Sequence, residues 1–597
     1  MMSADNDTLG GLNLKYIRLV EFYEKIEQTT KRLAMTDYLV RLFKETPKEI
    51  IDKVVYLTQG KIYPDFIELE LGIAEKMAIR AIANATGATT RDVEEDFKKT
   101  GDLGLTAENF IKRKRQLTLF TKPLTVDHVY SVFDKIAKAT GEGSQDLKIR
   151  LLSGLLTNAQ PKEGKYIIRT VTGRLRLGIA DMTILDALAI AFTGSKENRP
   201  LLERAYNLCS DLGEVAKAIA EGGLEGIRQF KIRVGRPIRP MLAQRLATPE
   251  EILEKLGGKA ACEWKFDGER VQIHKDGSQV QLFSRRLENI TEQYPDVQEY
   301  VREHIKANEV IIEGEIVAID PETEELRPFQ ELMHRRRKYE IEKAIEMYPV
   351  NVYLFDLLYV DGEDYTTKPY TERRKRLKEI VEENHIKIAP AIVTSDVKEI
   401  EKFFEEAIEN GCEGLMLKSV KPDSIYQAGA RGWLWIKLKR SYQSKMVEPI
   451  DVVIVGAFAG KGKRAGTYGA LLAAVYNKEK DVFETICKVG SGFTDEDLEN
   501  LPKILEEYKI DHCHPRVISK LEPDFWFVPA KVIEIIGDEL TLSPVHTCAW
   551  GVVKEEAGIA VRFPRFTGRW RDDKAPEDAT STQEIIDMYR AQLKTIA

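Results

Sequence analysis

The stretch CEWKFDGERVQIH, residues 262–274, brings acid, amine and guanidinium groups close enough to do chemistry together. Strand side chains alternate between faces, so Glu263, Lys265 and Asp267 would share one side. Gly268 then allows a turn, and Arg270 follows it. A free lysine has a pKa of about 10.4, so at pH 7 roughly one amine in a few thousand is neutral. Neighbouring cations, or removal from water, lower that pKa and make the amine a nucleophile. Lys265 is therefore expected to sit among cations. Arg270 is the local candidate, and WLWIKLKR (433–440) offers Lys437 and Lys439 on one strand face. Such a cluster would also grip a phosphate and offset charge building on it. A solvated edge strand is the alternative this segment leaves open by itself.

Two carboxylates extend the pattern. Glu315 in EGEIVAID and Glu413 in CEGLMLKS end apolar, strand-like runs, from which a side chain can enter a pocket while the strand stays anchored. Carboxylates suit Mg²⁺, which keeps several waters and takes one or two protein oxygens beside phosphates. Phe355 in YLFDLL has the face to stack on a nucleobase, core packing being the alternative.

The elements that must position these residues change along the chain. Residues from about 13 to 230 read as helical, with helices expected over 15–44, 71–86 and 181–193. TPKEIIDKVVYLTQG (46–60) suggests Thr46 as cap, Pro47 at the first helical position, Glu49 closing a capping box and Gly60 as the stop. GKYIIRTVTGRLRLGIAD (164–181) is expected to interrupt the helices with short strands and a turn at Gly173. VGRPIRPMLAQRL (234–246) has the composition of a linker. Alternating strands and helices follow, and beyond about 441 short strands dominate, at a spacing that suggests a small OB-type barrel. A last amphipathic helix is expected to start at a Ser581/Glu584 capping box. The expected division is an all-α domain (1–235), an α/β (α+β) domain (236–440) and a β-barrel with a C-terminal helix (441–597).

At 597 residues the chain is too long for one core. Hydrophobic residues make up 43% and charged residues 31%, a soluble, globular composition. No apolar run approaches the roughly 20 residues that span a bilayer, and the opening residues lack the order of a secretory signal. A cytoplasmic protein with no membrane attachment is expected. The six cysteines carry no CxxC pair, which suggests a reducing compartment and no zinc ribbon. HCH at 512–514 reads as strand neighbours pointing to opposite faces, not as a metal site. A net charge of -7 argues by itself against nucleic acid. Five basic clusters argue the other way: KRKR (112–115), HRRRK (334–338), KLKR (437–440), KGKR (461–464) and RFPRFTGRWRDDK (562–574). One such run is usually a solvated face, whereas five suggest a distributed polyanion surface.

The order of motifs carries the reading further. KFDGER, SRR (284–286), EGE, YLFD, CEGLMLK, WIKLK and RWRDDK follow one another as in the covalent nucleotidyltransferases. Nearly the whole chain resembles the ATP-dependent DNA ligases of the replicative archaeal and eukaryotic type. That resemblance implies a Lys265–AMP intermediate, transfer of AMP to the 5′-phosphate of a nick, and sealing, in replication, repair and recombination. It implies that Glu263 meets the adenine, and that Arg270 and Arg285 meet the nucleotide and its phosphate. Glu315 and Glu413 would take the metal (Mg²⁺, with Mn²⁺ as a substitute), Glu315 lying within the ATP site. Phe355 would stack on the base, Lys437 and Lys439 would hold the α-phosphate, and Arg571, Asp573 and Lys574 would orient pyrophosphate. Arg169, Arg174 and Arg176 are the expected contacts of the helical domain to nicked duplex DNA. Gln116, Leu119 and Phe120 loosely match the plug by which similar ligases engage a sliding clamp of the PCNA type. A monomer is expected, nucleoid-associated in an archaeal cell. An RNA ligase or mRNA-capping guanylyltransferase is disfavoured by the long helical region. An NAD-dependent ligase is disfavoured by the missing four-cysteine finger, and a non-catalytic DNA-binding scaffold by intact motifs.

Overall fold

The computed structural model describes residues 14–114, 122–319, 326–336, 340–439, 448–460, 464–537, 539–543, 545–562 and 564–594. The chain forms two compact units, Met1–Glu94 with Leu103–Leu438, and Glu95–Asp102 with Lys439–Ala597. Gln116, Leu119 and Phe120 lie outside the described residues. Among those residues, no helix is long and apolar enough to cross a membrane.

The first unit begins helical, with three departures from the sequence reading. The expected helix over 15–44 is two, Tyr16–Glu27 and Arg32–Glu45. Between them the Thr29 hydroxyl accepts from the Lys31 N–H at 3.1 Å, so a side chain competes with the helix for a backbone donor. Thr46 does not cap the next helix. Its hydroxyl donates back to the Leu42 carbonyl at 2.7 Å, a 3₁₀ turn covers Lys48–Ile50, and the α-helix starts only at Ile51. GKYIIRTV is not strand but the body of the helix Pro161–Val171. Pro161 in its first turn and the Gln160/Glu163 capping box, with the Gln160 N–H donating to Glu163 at 2.8 Å, override the β-branched run. Tyr166, Ile167 and Ile168 are buried there. The Gly173 turn stands, with φ +66°, a conformation that favours glycine. The helix Asp181–Thr193 is as expected.

Two sheets follow. One has the order β1-β11-β10-β2-β9, from Leu242–Arg245 (β1), Ala260–Lys265 (β2), Ala391–Thr394 (β9), Gly414–Ser419 (β10) and Arg431–Lys439 (β11). The other runs β4-β3-β5-β6-β7, from Glu269–Asp276 (β3), Gln279–Ser284 (β4), Glu309–Ala318 (β5), Val350–Val360 (β6) and Glu363–Asp364 (β7), with Ile386–Ile388 (β8) beside β6. The expected linker at 234–246 is buried rather than solvated. Ile238 and Met241 are fully enclosed, and the Gln272 amide bonds both the N–H and the C=O of Ile238 at 2.8 Å. Its last residues form β1, parallel to β11.

The second unit is strand-rich. Ile450–Ala459 (β12), Tyr468–Asn477 (β13) and Val482–Val489 (β14) form an antiparallel run. Lys509–Ile510 (β15), Val517–Ile518 (β16), Phe525–Phe527 (β17), Val532–Ile536 (β18) and Arg565–Trp570 (β21) join it. β12 pairs with β17 near its end and with β18 near its start, so the sheet curls, as the OB-fold expectation requires. Glu539–Ser543 (β19) and Gly558–Arg562 (β20) make a separate ribbon. The Ser581/Glu584 capping box is formed, with N–H···O distances of 2.6 and 3.2 Å, and starts the helix Thr582–Lys594. Ile585 and Ile586 of this helix enter the barrel core, each worth about 1.5–3 kcal/mol on burial.

Candidate active site

Lys265 ends β2 just where the chain leaves one sheet for the other. The crossover is tight. A Cβ on Gly268 would lie 2.2 Å from the Ile316 carbonyl oxygen of β5, so glycine is required for close approach rather than for a positive φ. Glu413, immediately before β10, donates its backbone N–H to the Lys265 carbonyl at 2.8 Å. Its carboxylate accepts from Lys265 Nζ at 2.6 Å. Glu315 enters from β5, opposite Arg270 on β3.

The electrostatics overturn one expectation. Among the described residues, the charges that act most strongly on Lys265 are acids. Burial alone would lower its pKa, but Glu413, then Glu315 and Asp267, raise it above the usual lysine value. Burial lifts Glu315 to about 7, with Glu413 and Asp267 adding to it against the pull of Lys265 and Arg270. The cations gather one step away. Arg285, just after β4, is pushed below the ordinary guanidinium value by partial loss of water around it, then by Arg270, Arg431 and Arg286, against the pull of Glu315. Arg431, at the start of β11, is a residue the sequence reading missed. Lys437 and Lys439 do share a face of β11, alternating with the buried Ile436 and Leu438.

Arg270 is held as well as near. It donates Nε–H to Glu313 at 2.9 Å and Nη1–H to the Met241 carbonyl at 2.7 Å, and its guanidinium lies 5.5 Å from the Phe355 ring centre. The Phe355 ring, half-buried on β6, also has Lys418 Nζ at 4.6 Å. Glu263 is buried. Arg374 and Lys418 each reach it at 2.7 Å, and the Tyr370 hydroxyl donates to it. Tyr370, Arg374 and Lys418 were not singled out from sequence. A lone lysine in the apolar run GLMLKS was the available signal, because a charge inside a buried strand needs a partner.

Outside this centre the expected residues fare unevenly. Arg571 pairs with Asp451 and Asp573, and Lys574 with Asp451. Arg169 is committed to Glu27 at 2.7 Å, with its side chain 14% exposed. Arg174 is exposed and 3.7 Å from Glu75. Arg176 is exposed and borders the small hollow at Thr58–Asp181. Of the basic clusters, HRRRK is partly interior. Arg335 is fully buried against Asp296, and its two terminal nitrogens also donate to the Tyr348 and Gln293 carbonyls. Within the first unit, a cleft of ≈ 1880 Å³ lies between the helical layer, at Lys61–Ala74 and Thr170–Gly173, and Arg285–Asn289 of the two-sheet layer. Among the described residues, no group of three or more histidine, cysteine or acidic side chains is gathered for a metal, HCH included. Glu315 and Glu413, both coupled to Lys265, are two carboxylates, and Mg²⁺ needs only one or two protein oxygens.

Comparison with known proteins supplies the family. Residues 240–439 match the ATP dependent DNA ligase domain, 15–189 the DNA ligase N terminus, and 464–574 the ATP dependent DNA ligase C terminal region. A protein named DNA ligase 2 from Thermofilum pendens is 59% identical over 592 residues, covering 98% of both chains. The DNA ligase of Staphylothermus marinus is 57% identical over 597 residues, covering 98% of this chain and all of its own. The solved structure named Pmar-Lig_Pre is similar in fold, with a TM-score of 0.54 at 16% identity over 93% of this chain and 99% of its own. The chain belongs to the ATP-dependent DNA ligases. It is accordingly an ATP-driven, DNA-joining enzyme with a helical N-terminal region, a nucleotidyltransferase domain and a strand-rich C-terminal domain.

Proposed function

We propose that Lys265 carries AMP between ATP and the 5′-phosphate of a nick in duplex DNA. In the first step Nζ attacks the α-phosphorus. The N–P bond forms, the α–β bridging P–O bond breaks, and pyrophosphate leaves with its electron pair. The ammonium must shed a proton first, and Glu413 Oε2 at 2.6 Å is the acceptor the geometry provides. AMP then passes to the 5′-phosphate oxygen, and the 3′-hydroxyl displaces it and closes the strand. Glu315 and Glu413 are the residues to hold Mg²⁺ or Mn²⁺, which would neutralise phosphate charge when bound.

The rest of the site fits this reading. A carboxylate offers about four acceptor positions; Tyr370 and Arg374 donate to Glu263, Lys418 is ion-paired with it at 2.7 Å, and an acceptor position is left for the amino group of adenine. Arg270, Arg285 and Arg431 form a positive wall for phosphate, Lys437 and Lys439 hold the α-phosphate, and Phe355 offers a ring to the base. Arg571 and Lys574 orient pyrophosphate. Arg174 and Arg176 are retained as duplex contacts, Arg169 only as support. The ligand is nicked duplex DNA, bound by a monomer in the cytoplasm or nucleoid, with a sliding clamp engaged at Gln116, Leu119 and Phe120.

The observation that carries the proposal is a strand-borne lysine hydrogen-bonded to one glutamate and electrostatically coupled to a second. Incubation with α-labelled ATP, NAD and GTP plus Mg²⁺ tests it. ATP alone should leave acid-labile label on the protein, and Lys265→Ala should leave none. Label on the variant would refute the assignment.

A further inference from the structure

Asp451 is the residue in question, the second of β12 and buried in the wall of the strand-rich unit. Both cations of the terminal RWRDDK motif converge on it. Arg571 Nη1 lies 3.2 and 3.1 Å from its two carboxylate oxygens, and Lys574 Nζ lies 2.6 Å from Oδ2. The remaining edge of Arg571, Nε and Nη2, donates to Asp573 at 2.9 and 2.8 Å. Among the described residues, Asp451 alone joins the two cations to each other, since Asp573 meets Arg571 and not Lys574.

The backbone around this contact is equally committed. The Arg571 N–H donates to the Val532 carbonyl at 2.8 Å, which ties the motif to β18. β18 pairs with β12 in the register Asp451↔Glu534, so Asp451 and the motif are held across adjacent strands. The Asp451 N–H donates to the Thr580 hydroxyl at 2.9 Å, and the Thr580 N–H returns to the Asp451 carbonyl at 3.0 Å. The residues after the motif are therefore pinned to the same strand. A mobile acid would merely neutralise passing cations, whereas an acid whose backbone N–H and C=O are both held by Thr580, on a strand paired with β18, sets where they stand.

We propose that Asp451 is a positioning residue for the first chemical step. It holds the guanidinium and the ammonium side by side so that both meet one pyrophosphate. This rests on the proposed role of Arg571 and Lys574 in that step. The chemistry explains why an acid is used to place cations. Two positive groups drawn to one carboxylate oxygen would otherwise repel each other and spread into solvent. Held together, the Arg571 Nη2 N–H not spent on Asp573 and the unspent N–H groups of Lys574 can meet the β- and γ-phosphates without reorganising as the leaving group gathers charge. Lys574 spends one of its three N–H donors on Asp451 and keeps two for phosphate. AMP transfer to DNA and sealing release no pyrophosphate, so they do not need this pair.

The test is Asp451→Asn, which keeps the shape and one acceptor oxygen but removes the charge. Three measurements on the full-length enzyme are compared: formation of enzyme-adenylate from ATP, pyrophosphate-driven return of ATP from loaded enzyme, and sealing of a nick already carrying 5′-AMP. The first two are the same step in opposite directions, and each should slow by about tenfold or more. Sealing should stay within about twofold. A parallel loss in all three would mean a merely structural role and overturn the proposal, as would unchanged adenylate formation. Arg571→Ala separates the two layers of argument. If it slows adenylate formation while Asp451→Asn does not, the positioning role alone fails. If Arg571→Ala leaves that step intact, the reading of the motif fails first.

Discussion

Two lysine–glutamate pairs cross the same ladder of β2 and β10, and they behave as opposites. Lys265–Glu413 has side chains 21% and 17% exposed, whereas Lys418–Glu263 has 1% and 2%. Acids surround the first lysine and hold its pKa up. Burial lowers that of the second, against the pull of Glu263 and Asp356. A search for the lysine with the depressed pKa would choose Lys418, the more deeply buried of the two. Exposure separates the amine proposed as nucleophile from the buried one, and the surrounding charge only tunes it.

The largest break in this comparison should come from Lys265→Ala. Labelling from ATP should fall to background while stability shifts by no more than about 1 kcal/mol, because a partly exposed pair contributes little. Unfolding midpoints beside the labelling assay check both halves. Glu263→Gln should do the reverse to stability. It leaves Lys418 and Arg374 buried without their acid, a loss of about 3–5 kcal/mol by guanidinium unfolding. A loss below 1 kcal/mol would mean the buried pair is as dispensable as the exposed one.

A buried group with no opposing charge sharpens the contrast. His274 accepts from the Gly235 N–H, and burial lowers its pKa from 6.5 to about 3. Below pH 6.5 the unfolded chain takes up a proton that the folded chain refuses, so stability falls as pH falls, until about pH 3. The slope from this one group is about 1.4 kcal/mol per pH unit. The difference in pH dependence between the wild type and His274→Leu should show that slope, and parallel curves would refute it. The smallest effect is expected at the surface. Arg176→Ala should reduce the salt slope of nicked-duplex binding by about one unit without changing adenylation. An unchanged slope would remove Arg176 from the DNA contacts.

Much of this was legible in sequence because the physics was local. Strand alternation put Lys437 and Lys439 on one face, and Ser581 with Glu584 formed the expected box. Thr46 and Glu49 had the same box pattern and failed, because the Leu42 carbonyl of the preceding helix took the Thr46 hydroxyl. The YIIRTV run read as strand and is helix, since Gln160, Pro161 and Glu163 upstream outweighed its β-branched residues.

By itself, the order of residues pointed to the ATP-dependent DNA ligases, with a helical, a nucleotidyltransferase and a strand-rich region in that order. Only the tertiary structure decided the charge around Lys265. Asp267 is two positions away in sequence, but Glu315 and Glu413 arrive from β5 and from the turn before β10. It likewise decided that Arg270 is locked to Glu313 and that Asp451 joins Arg571 to Lys574. The reason is distance along the chain. Electrostatic energy depends on separations in space, and those separations are set by how strands far apart in sequence pair.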